Sequence, residues 1–274
     1  MQKISGARIA DEIIESLRAR PTPKKFLAAF VVGDSPQTAS FVAQKEKIAG
    51  KLGIDFRVYR YPEGISSDQL RRAMHRVVDG SRCGGALLQL PVPLPANAGY
   101  CVNAIPAHKD VDVLSERALG AFSAGRTNIF PPSVLAVQHL LESLRVSLDE
   151  YKKIVVVGCG PLVGKPIALW LAGKISQLVC LDKGSSYEAL RDADMVISAT
   201  GVAGLIRGET VRKDGLLIDF GYGIDASGKL SGDIDQESLR VAGFTGYYTP
   251  TPGGTGPLVV AGLFENFYLL ADRG

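Results

Sequence analysis

The sequence predicts an α/β protein of two lobes, each built on a mostly parallel sheet, and three observations predict it. Short apolar runs of strand length alternate with stretches of helical periodicity from the N-terminus to about residue 90. A second such series begins near residue 133, after a proline- and glycine-punctuated interval (95–132) that is long for a plain connector. The chain has 274 residues, of which 46% are hydrophobic and 22% charged, enough apolar surface for one large domain or two medium ones.

The elements follow in order. Ile4, Ile9, Ile13, Ile14 and Leu17 recur at helical spacing, Phe26 to Val32 reads as a buried strand, and Thr38 to Leu52 as a helix. Ile54 to Tyr59 alternates as a strand. Ser67 to Val78 reads as a helix capped by Ser67, and Gly85 to Leu90 as a strand stopped by Pro91 and Pro93. Beyond the irregular interval come a helix from Ser133 to Arg145 and strands at Ile154 to Val157, Leu178 to Leu181, Met195 to Ala199 and Leu216 to Asp219. An apolar helix, Leu258 to Leu270, closes the chain and is expected to return to the first lobe.

Composition excludes several classes of function. Lys and Arg number 31 against 28 Asp and Glu, a net charge of +3 with no dense basic block, so nucleic acid is not expected as a partner. Asp11, Glu12 and Glu15 interrupt any signal-peptide core, and the longest clean apolar stretch, Phe26 to Val32, is far short of a membrane span, so a soluble cytoplasmic protein is expected. Cys83, Cys101, Cys159 and Cys180 form no C-x-x-C pair, and His75, His108 and His139 lie far apart. No metal site is expected, and no histidine is expected to be catalytic.

The run from Ile154 through Gly158, Cys159, Gly160, Val163 and Gly164 to Pro166 is a strand feeding a glycine turn and then a helix. Small residues there let a backbone approach a pyrophosphate at a helix N-terminus, although the same pattern also makes a plain tight turn. The third glycine is one place late for strict G-x-G-x-x-G. Asp182 closes the next strand, where an acid accepts the ribose hydroxyls of NAD, and this favours a Rossmann-like dinucleotide lobe. Lys183, Thr200 and Gly201 complete the expected cofactor set. NAD is expected in preference to NADP, because a carboxylate repels a 2′-phosphate; Lys183 is the counterweight, expected to point away if the strand continues.

Thr38, Phe41 and Lys45 are spaced by three and four, which puts them on one helix face; a solvated surface lysine is the alternative. Gly253, Gly254 and Gly256 make either a simple turn or a smooth wall for a flat ligand.

Taken together, the chain resembles the bifunctional methylenetetrahydrofolate dehydrogenase/cyclohydrolase family nearly end to end. The resemblance is carried by Val32-Gly33-Asp34 with Phe41 to Lys45, Gln89-Leu90-Pro91-Val92-Pro93, Lys109-Asp110-Val111-Asp112, the turn from Gly158 to Pro166, Ile218-Asp219, Gly232-Asp233, Pro252-Gly253-Gly254 leading to Gly256-Pro257, and Glu265-Asn266. It implies a folate-binding lobe over 1–132 completed by 257–274, a Rossmann-like NAD(P)-binding lobe over 133–256, a ligand cleft between them, and a homodimer. It further implies Lys45, Gln89 and Asp112 as catalytic residues, with Gln89 aiming the Lys45 amine and Asp112 accepting the amino-pyrimidinone edge of a pterin. Phe41, Thr38, Pro252, Gly253 and Gly254 would line the substrate, a tetrahydrofolate derivative, while Asp110 would be structural. The implied activity is oxidation of methylenetetrahydrofolate with NAD(P), followed by hydrolysis to formyltetrahydrofolate.

The chain departs from the family pattern at several places. Phe41 stands where the family has Tyr, Thr38 where it has Ser, and Val113-Leu114-Ser115 where it has Gly-Phe-His. Pro131-Pro132-Ser133-Val134 replaces Pro-Cys-Thr-Pro, and Cys159-Gly160 replaces Arg-Ser, removing the cation offered to a 2′-phosphate. Weakened hydrolysis is therefore expected. Two rival readings are a two-lobed oxidoreductase resembling shikimate dehydrogenase and a non-enzymatic folate or dinucleotide sensor.

Overall fold

The structure is a computed structural model that describes residues 1–225 and 228–272. In chain order the N-terminal half holds β1 (Gln2–Lys3), α1 (Gly6–Arg18), β2 (Phe26–Val32), α2 (Pro36–Leu52), β3 (Phe56–Tyr61), α3 (Ser67–Val78), β4 (Cys83–Leu88), α4 (Ala98–Val102) and α5 (Glu116–Ser123). Then follow α6 (Pro132–Leu144), β5 (Lys153–Val157), α7 (Gly164–Leu171), β6 (Gln177–Leu181), β7 (Met195–Ser198), β8 (Leu216–Asp219), β9 (Gly223–Ile224), β10 (Leu230–Ser231), α8 (Gln236–Val241), β11 (Tyr247–Tyr248) and α9 (Thr255–Ala271).

The chain divides into two compact units. One joins residues 12–132 to the chain from 260 onward; its core is a parallel sheet in the order β3-β2-β4. Every residue of β2 and β4 is buried, which is why both read as continuous apolar runs. Leu70, Met74 and Val78 of α3 pack on Phe26, Ala28 and Phe30 of β2. From α9, Asn266 donates to the carbonyls of Val111 at 2.9 Å and Phe130 at 2.7 Å, which ties the irregular interval to the last helix.

The other unit comprises residues 1–11 and 133–259, on a parallel sheet ordered β1-β11-β8-β7-β5-β6. Val155, Val157, Val196 and Leu217 of its central strands meet Ile206, Ile234 and Leu239 in the core. The first eleven residues thus belong with this unit, not with the expected 1–132 lobe. The cause is β1, whose Gln2 and Lys3 pair with Tyr247 and Tyr248 of β11. The return to the first unit falls at Val260, inside α9, rather than at 257, and the last two residues of the expected 257–274 segment lie outside the described residues.

Local differences have local causes. The cap of α3 is Ser66, which accepts from Gln69 N while the Gln69 side chain accepts from the Ser66 amide; Ser67 is the first helical residue. The 95–132 interval holds two short helices, α4 and α5, each opened by a side-chain cap, Asn97 and Ser115. No helix among the described residues is long and apolar enough to cross a membrane.

Candidate active site

In the unit of residues 12–132, α2 is opened by Ser35, whose hydroxyl accepts from the Thr38 amide at 3.2 Å and donates to the Thr38 hydroxyl at 2.9 Å. Thr38 is buried, and Phe41 and Lys45 follow at one and two helical turns. The Lys45 ammonium donates to Gln89 Oε1 at 2.6 Å. Gln89 lies one residue past β4, which ends at Leu88 rather than at the expected Leu90. Its own amide nitrogen donates to Leu90 O at 2.8 Å, and its backbone amide donates to Phe30 O at 2.8 Å. Both ends of the side chain are thereby fixed, and the carbonyl oxygen is left for the lysine.

Burial pushes the Lys45 pKa below the usual lysine range, against the pull of the Asp112 charge. Burial lifts the Asp112 carboxyl to about 6, opposed by Lys45 and assisted by Asp110. These three groups therefore form one electrostatic set. Asp110, with 1% of its surface exposed, accepts from the amides of Leu114 at 3.0 Å and Ser115 at 2.7 Å and so holds the loop after Asp112. Within that loop Val113 takes φ +57°, a left-handed conformation that a β-branched residue rarely adopts, at the position where the family carries glycine.

In the unit of residues 133–259, β5 ends at Val157 and the chain turns at Gly158, whose φ is +88°. A side chain at Gly164 would put its Cβ 1.8 Å from Gly158 O, so the late third glycine lets α7 close onto the turn. At Gly160, in contrast, nothing lies within 4 Å of the Cβ position. Val163, the residue before α7, makes no side-chain cap bond, while the Lys165 amide donates to Gly160 O at 3.0 Å and Pro166 has no N–H. The open space at Gly160 leaves room for a pyrophosphate beside the turn. Asp182 stands directly after β6, with Oδ2 accepting from the Cys159 amide at 3.3 Å and Oδ1 from the Lys183 amide at 2.8 Å. The strand does not continue through Lys183: Ser185 N donates to Asp182 O at 2.9 Å and closes a turn there, so strand alternation does not set the direction of Lys183.

Sequence reasoning assigned no role to the buried acids that hold the next loop. Asp233 Oδ2 accepts from the Ser198 hydroxyl at 2.6 Å and from the Thr200 amide at 2.7 Å, placing Thr200 and Gly201 at the C-terminal end of β7. Asp219 Oδ1 accepts from Gly221 N at 2.7 Å and Asp233 N at 3.1 Å, and burial lifts its carboxyl to about 7. The two acids and the glycines interlock: a Cβ at Gly221 would lie 2.1 Å from Asp233 Oδ1, and one at Gly232 would lie 2.0 Å from Asp219 Oδ2. The available signal was Asp219 ending an apolar strand and Gly232-Asp233 standing among the stretches that carry the family resemblance. Pro252, Gly253 and Gly254 belong to this unit too, where Gly253 O accepts from Ala7 N at 3.1 Å and a Cβ at Gly254 would meet Pro250 O at 2.3 Å.

The site and fold define a two-unit α/β protein with a Rossmann-like unit and a half-buried lysine-amide-carboxylate set. A family profile described as tetrahydrofolate dehydrogenase/cyclohydrolase, catalytic domain, matches residues 4–112, and its NAD(P)-binding domain counterpart matches residues 131–273. The chain is 33% identical to the bifunctional protein FolD of Polaromonas naphthalenivorans, over 94% of this chain and 91% of that one. It is 31% identical to FolD of Bdellovibrio bacteriovorus, over 98% and 96%. Among solved structures, the Campylobacter jejuni FolD methylenetetrahydrofolate dehydrogenase/cyclohydrolase superposes with a TM-score of 0.92 at 28% identity, covering 98% of each chain. The Trypanosoma brucei enzyme, solved with NADP and an inhibitor, gives 0.90 at 26% identity, covering 99% of this chain and 97% of that one. Shikimate 5-dehydrogenase of Thermus thermophilus shares the fold alone, at 0.54 and 16% identity over 89% and 93%. The chain belongs to the tetrahydrofolate dehydrogenase/cyclohydrolase family.

Proposed function

We propose that this protein oxidises methylenetetrahydrofolate to methenyltetrahydrofolate with a nicotinamide dinucleotide, and that it hydrolyses the product slowly. The observation that carries the reading is the 2.6 Å bond from Lys45 to Gln89, with Asp112 close enough to act on the same lysine through its charge. Gly158, Gly160, Val163, Gly164 and Asp182 would hold the dinucleotide, which when bound supplies the hydride acceptor. The nitrogen lone pairs of the substrate stabilise the cation formed at its one-carbon bridge. The protein's contribution to that step is therefore positioning, by Asp112 at the pterin edge and by Phe41 and Thr38 along α2.

Hydrolysis needs more of the protein. A lysine whose pKa is lowered exchanges protons nearer neutrality, so Lys45 takes a proton from the water that adds to the methenyl carbon and returns it to the departing ring nitrogen. Gln89 keeps the amine aimed. Phe41 has no hydroxyl to relay that proton, which supports slow hydrolysis beside ordinary oxidation.

NAD is the preferred cofactor in this reading. Asp182 is held against the turn by the Cys159 amide, where it would accept ribose hydroxyls and repel a 2′-phosphate, and Cys159 supplies no cation. A homodimer is the assembly we expect, measurable by light scattering. The ratio of kcat/KM for NAD and NADP tests the cofactor reading. We expect NAD to be favoured, and a preference for NADP of about tenfold, or 1.4 kcal/mol, would overturn it.

A further inference from the structure

Asp112 takes part in no hydrogen bond among the described residues, so its place is set by the residues on either side of it. On its C-terminal side the Asp110 carboxylate accepts from the Leu114 and Ser115 amides and closes the loop through Val113, which stays buried at its left-handed φ. On its N-terminal side the buried Val111 is held twice. The Val111 amide donates to Ala86 O at 3.3 Å, next to the 2.6 Å bond from the Ala86 amide to Lys109 O, and the two join this stretch to the edge of β4. The Val111 carbonyl accepts from Asn266 Nδ2 at 2.9 Å.

The same Asn266 nitrogen donates to Phe130 O at 2.7 Å. Asn266 is 1% exposed and lies in α9, within the same compact unit as both carbonyls. A hydroxyl donates once and an ionised carboxylate not at all, so two carbonyls converging on one point call for a side-chain amide. The Val111 carbonyl shares a rigid peptide plane with the Asp112 nitrogen and Cα. Without the amide that carbonyl is left unpaired in the interior, and the plane rotates to regain a partner.

We propose that Asn266 is a positioning residue for the reaction: through the Val111 carbonyl it sets the peptide plane that carries Asp112, and so aims that carboxylate at the pterin edge. The proposal rests on the reading of Asp112 as the pterin acceptor. A two-oxygen acceptor facing a planar edge depends on direction, so rotation of the plane misaligns both hydrogen bonds at once. Lys45 and Gln89 hold each other independently of this peptide. Disturbing Asn266 therefore acts on substrate affinity and leaves the turnover of bound substrate near the parent rate. A purely structural role does the reverse, because loss of folded protein lowers kcat in proportion and leaves affinity untouched.

The test is a double-mutant cycle on tetrahydrofolate, which carries the pterin edge but no one-carbon bridge to react, with binding read by titration calorimetry. Asn266→Ser should weaken tetrahydrofolate about tenfold, or 1.4 kcal/mol, with dehydrogenase kcat at saturating substrate within about twofold of the parent and NADH affinity unchanged. In the Asp112→Asn background the same substitution should cost less than about twofold, because the group it aims is already impaired. Asn266→Gln keeps both donors on an arm one methylene longer, which displaces the Val111 carbonyl without leaving it unpaired, and it serves the same cycle if the serine variant does not fold. Parent affinity in the folded serine variant, or in the glutamine variant where only that one folds, overturns the proposal. Equal losses in the two backgrounds, or a fall in kcat at parent affinity, overturn it as well. Unchanged tetrahydrofolate affinity in Asp112→Asn alone overturns instead the reading of Asp112 on which the proposal rests.

Discussion

Replacing Asp112 by Asn separates the cost of the site from its use. The Asp112 carboxyl is lifted from 3.8 to about 6, chiefly by burial. Keeping it ionised in the folded chain therefore costs about 3 kcal/mol relative to the unfolded chain, and solvent reaching the half-buried group trims this to about 1–3 kcal/mol. The attraction to Lys45 is already contained in that figure, being one of the causes that set the value. Below about pH 4 both states are protonated and the cost vanishes; from there to about 6 the folded state binds more protons, so stability falls as pH rises. Above that window the cost is fully present. Asp112→Asn carries no such cost, so it should be about 1–3 kcal/mol more stable than the parent near pH 8 and nearly equal to it near pH 4. Asp219, lifted to about 7, adds a similar slope from the other unit, but it is common to both proteins and cancels in the difference. Urea titrations at the two pH values measure the effect, with folate and NADH binding measured on the same samples. Folate binding should fall far more than NADH binding, because an amide accepts through only one of its terminal atoms. A variant less stable than the parent by the same amount at both pH values would refute the reasoning.

Other substitutions probe single roles. Lys45→Met should leave NADH binding unchanged and remove methenyltetrahydrofolate hydrolysis, measured by loss of the methenyl absorbance; hydrolysis at the parent rate would remove Lys45 from the mechanism. Phe41→Tyr should raise hydrolysis selectively while dehydrogenase kcat stays put, and brisk hydrolysis by the parent with no gain in the variant would count against the relay. Gly221→Ala should destabilise the unit of residues 133–259 by about 3 kcal/mol, the upper end for overpacking, because its Cβ would lie 2.1 Å from buried Asp233 Oδ1; denaturation of the purified variant reads this directly.

The parts of the fold legible in the sequence are those with a period or a run. The strands β2 and β5 were readable because every position, or all but the first, is buried, and α2 because Thr38, Phe41 and Lys45 recur on one face. The strands β1 and β11 were not, since two residues carry no period and their pairing is set by β8, more than two hundred residues from β1. The Ser66 cap is legible in Gln69 three places later, the capping-box spacing that Ser67 lacks. Within the site, Lys45 and Gln89 lie 44 residues apart, and only the resemblance joined them. The Asp219–Asp233 network depends on strand register and on the direction of a turn, neither of which composition or spacing encodes.

The central claim is that this chain moves a hydride from methylenetetrahydrofolate to a nicotinamide dinucleotide. Incubating the purified protein with methylenetetrahydrofolate and NAD, and separately with NADP, while recording the methenyl and reduced-nicotinamide absorbances, tests it most directly. Both products should rise together, faster with NAD, with the methenyl signal persisting because hydrolysis is slow. Tight binding of folate and dinucleotide with neither absorbance rising under either cofactor would contradict the claim.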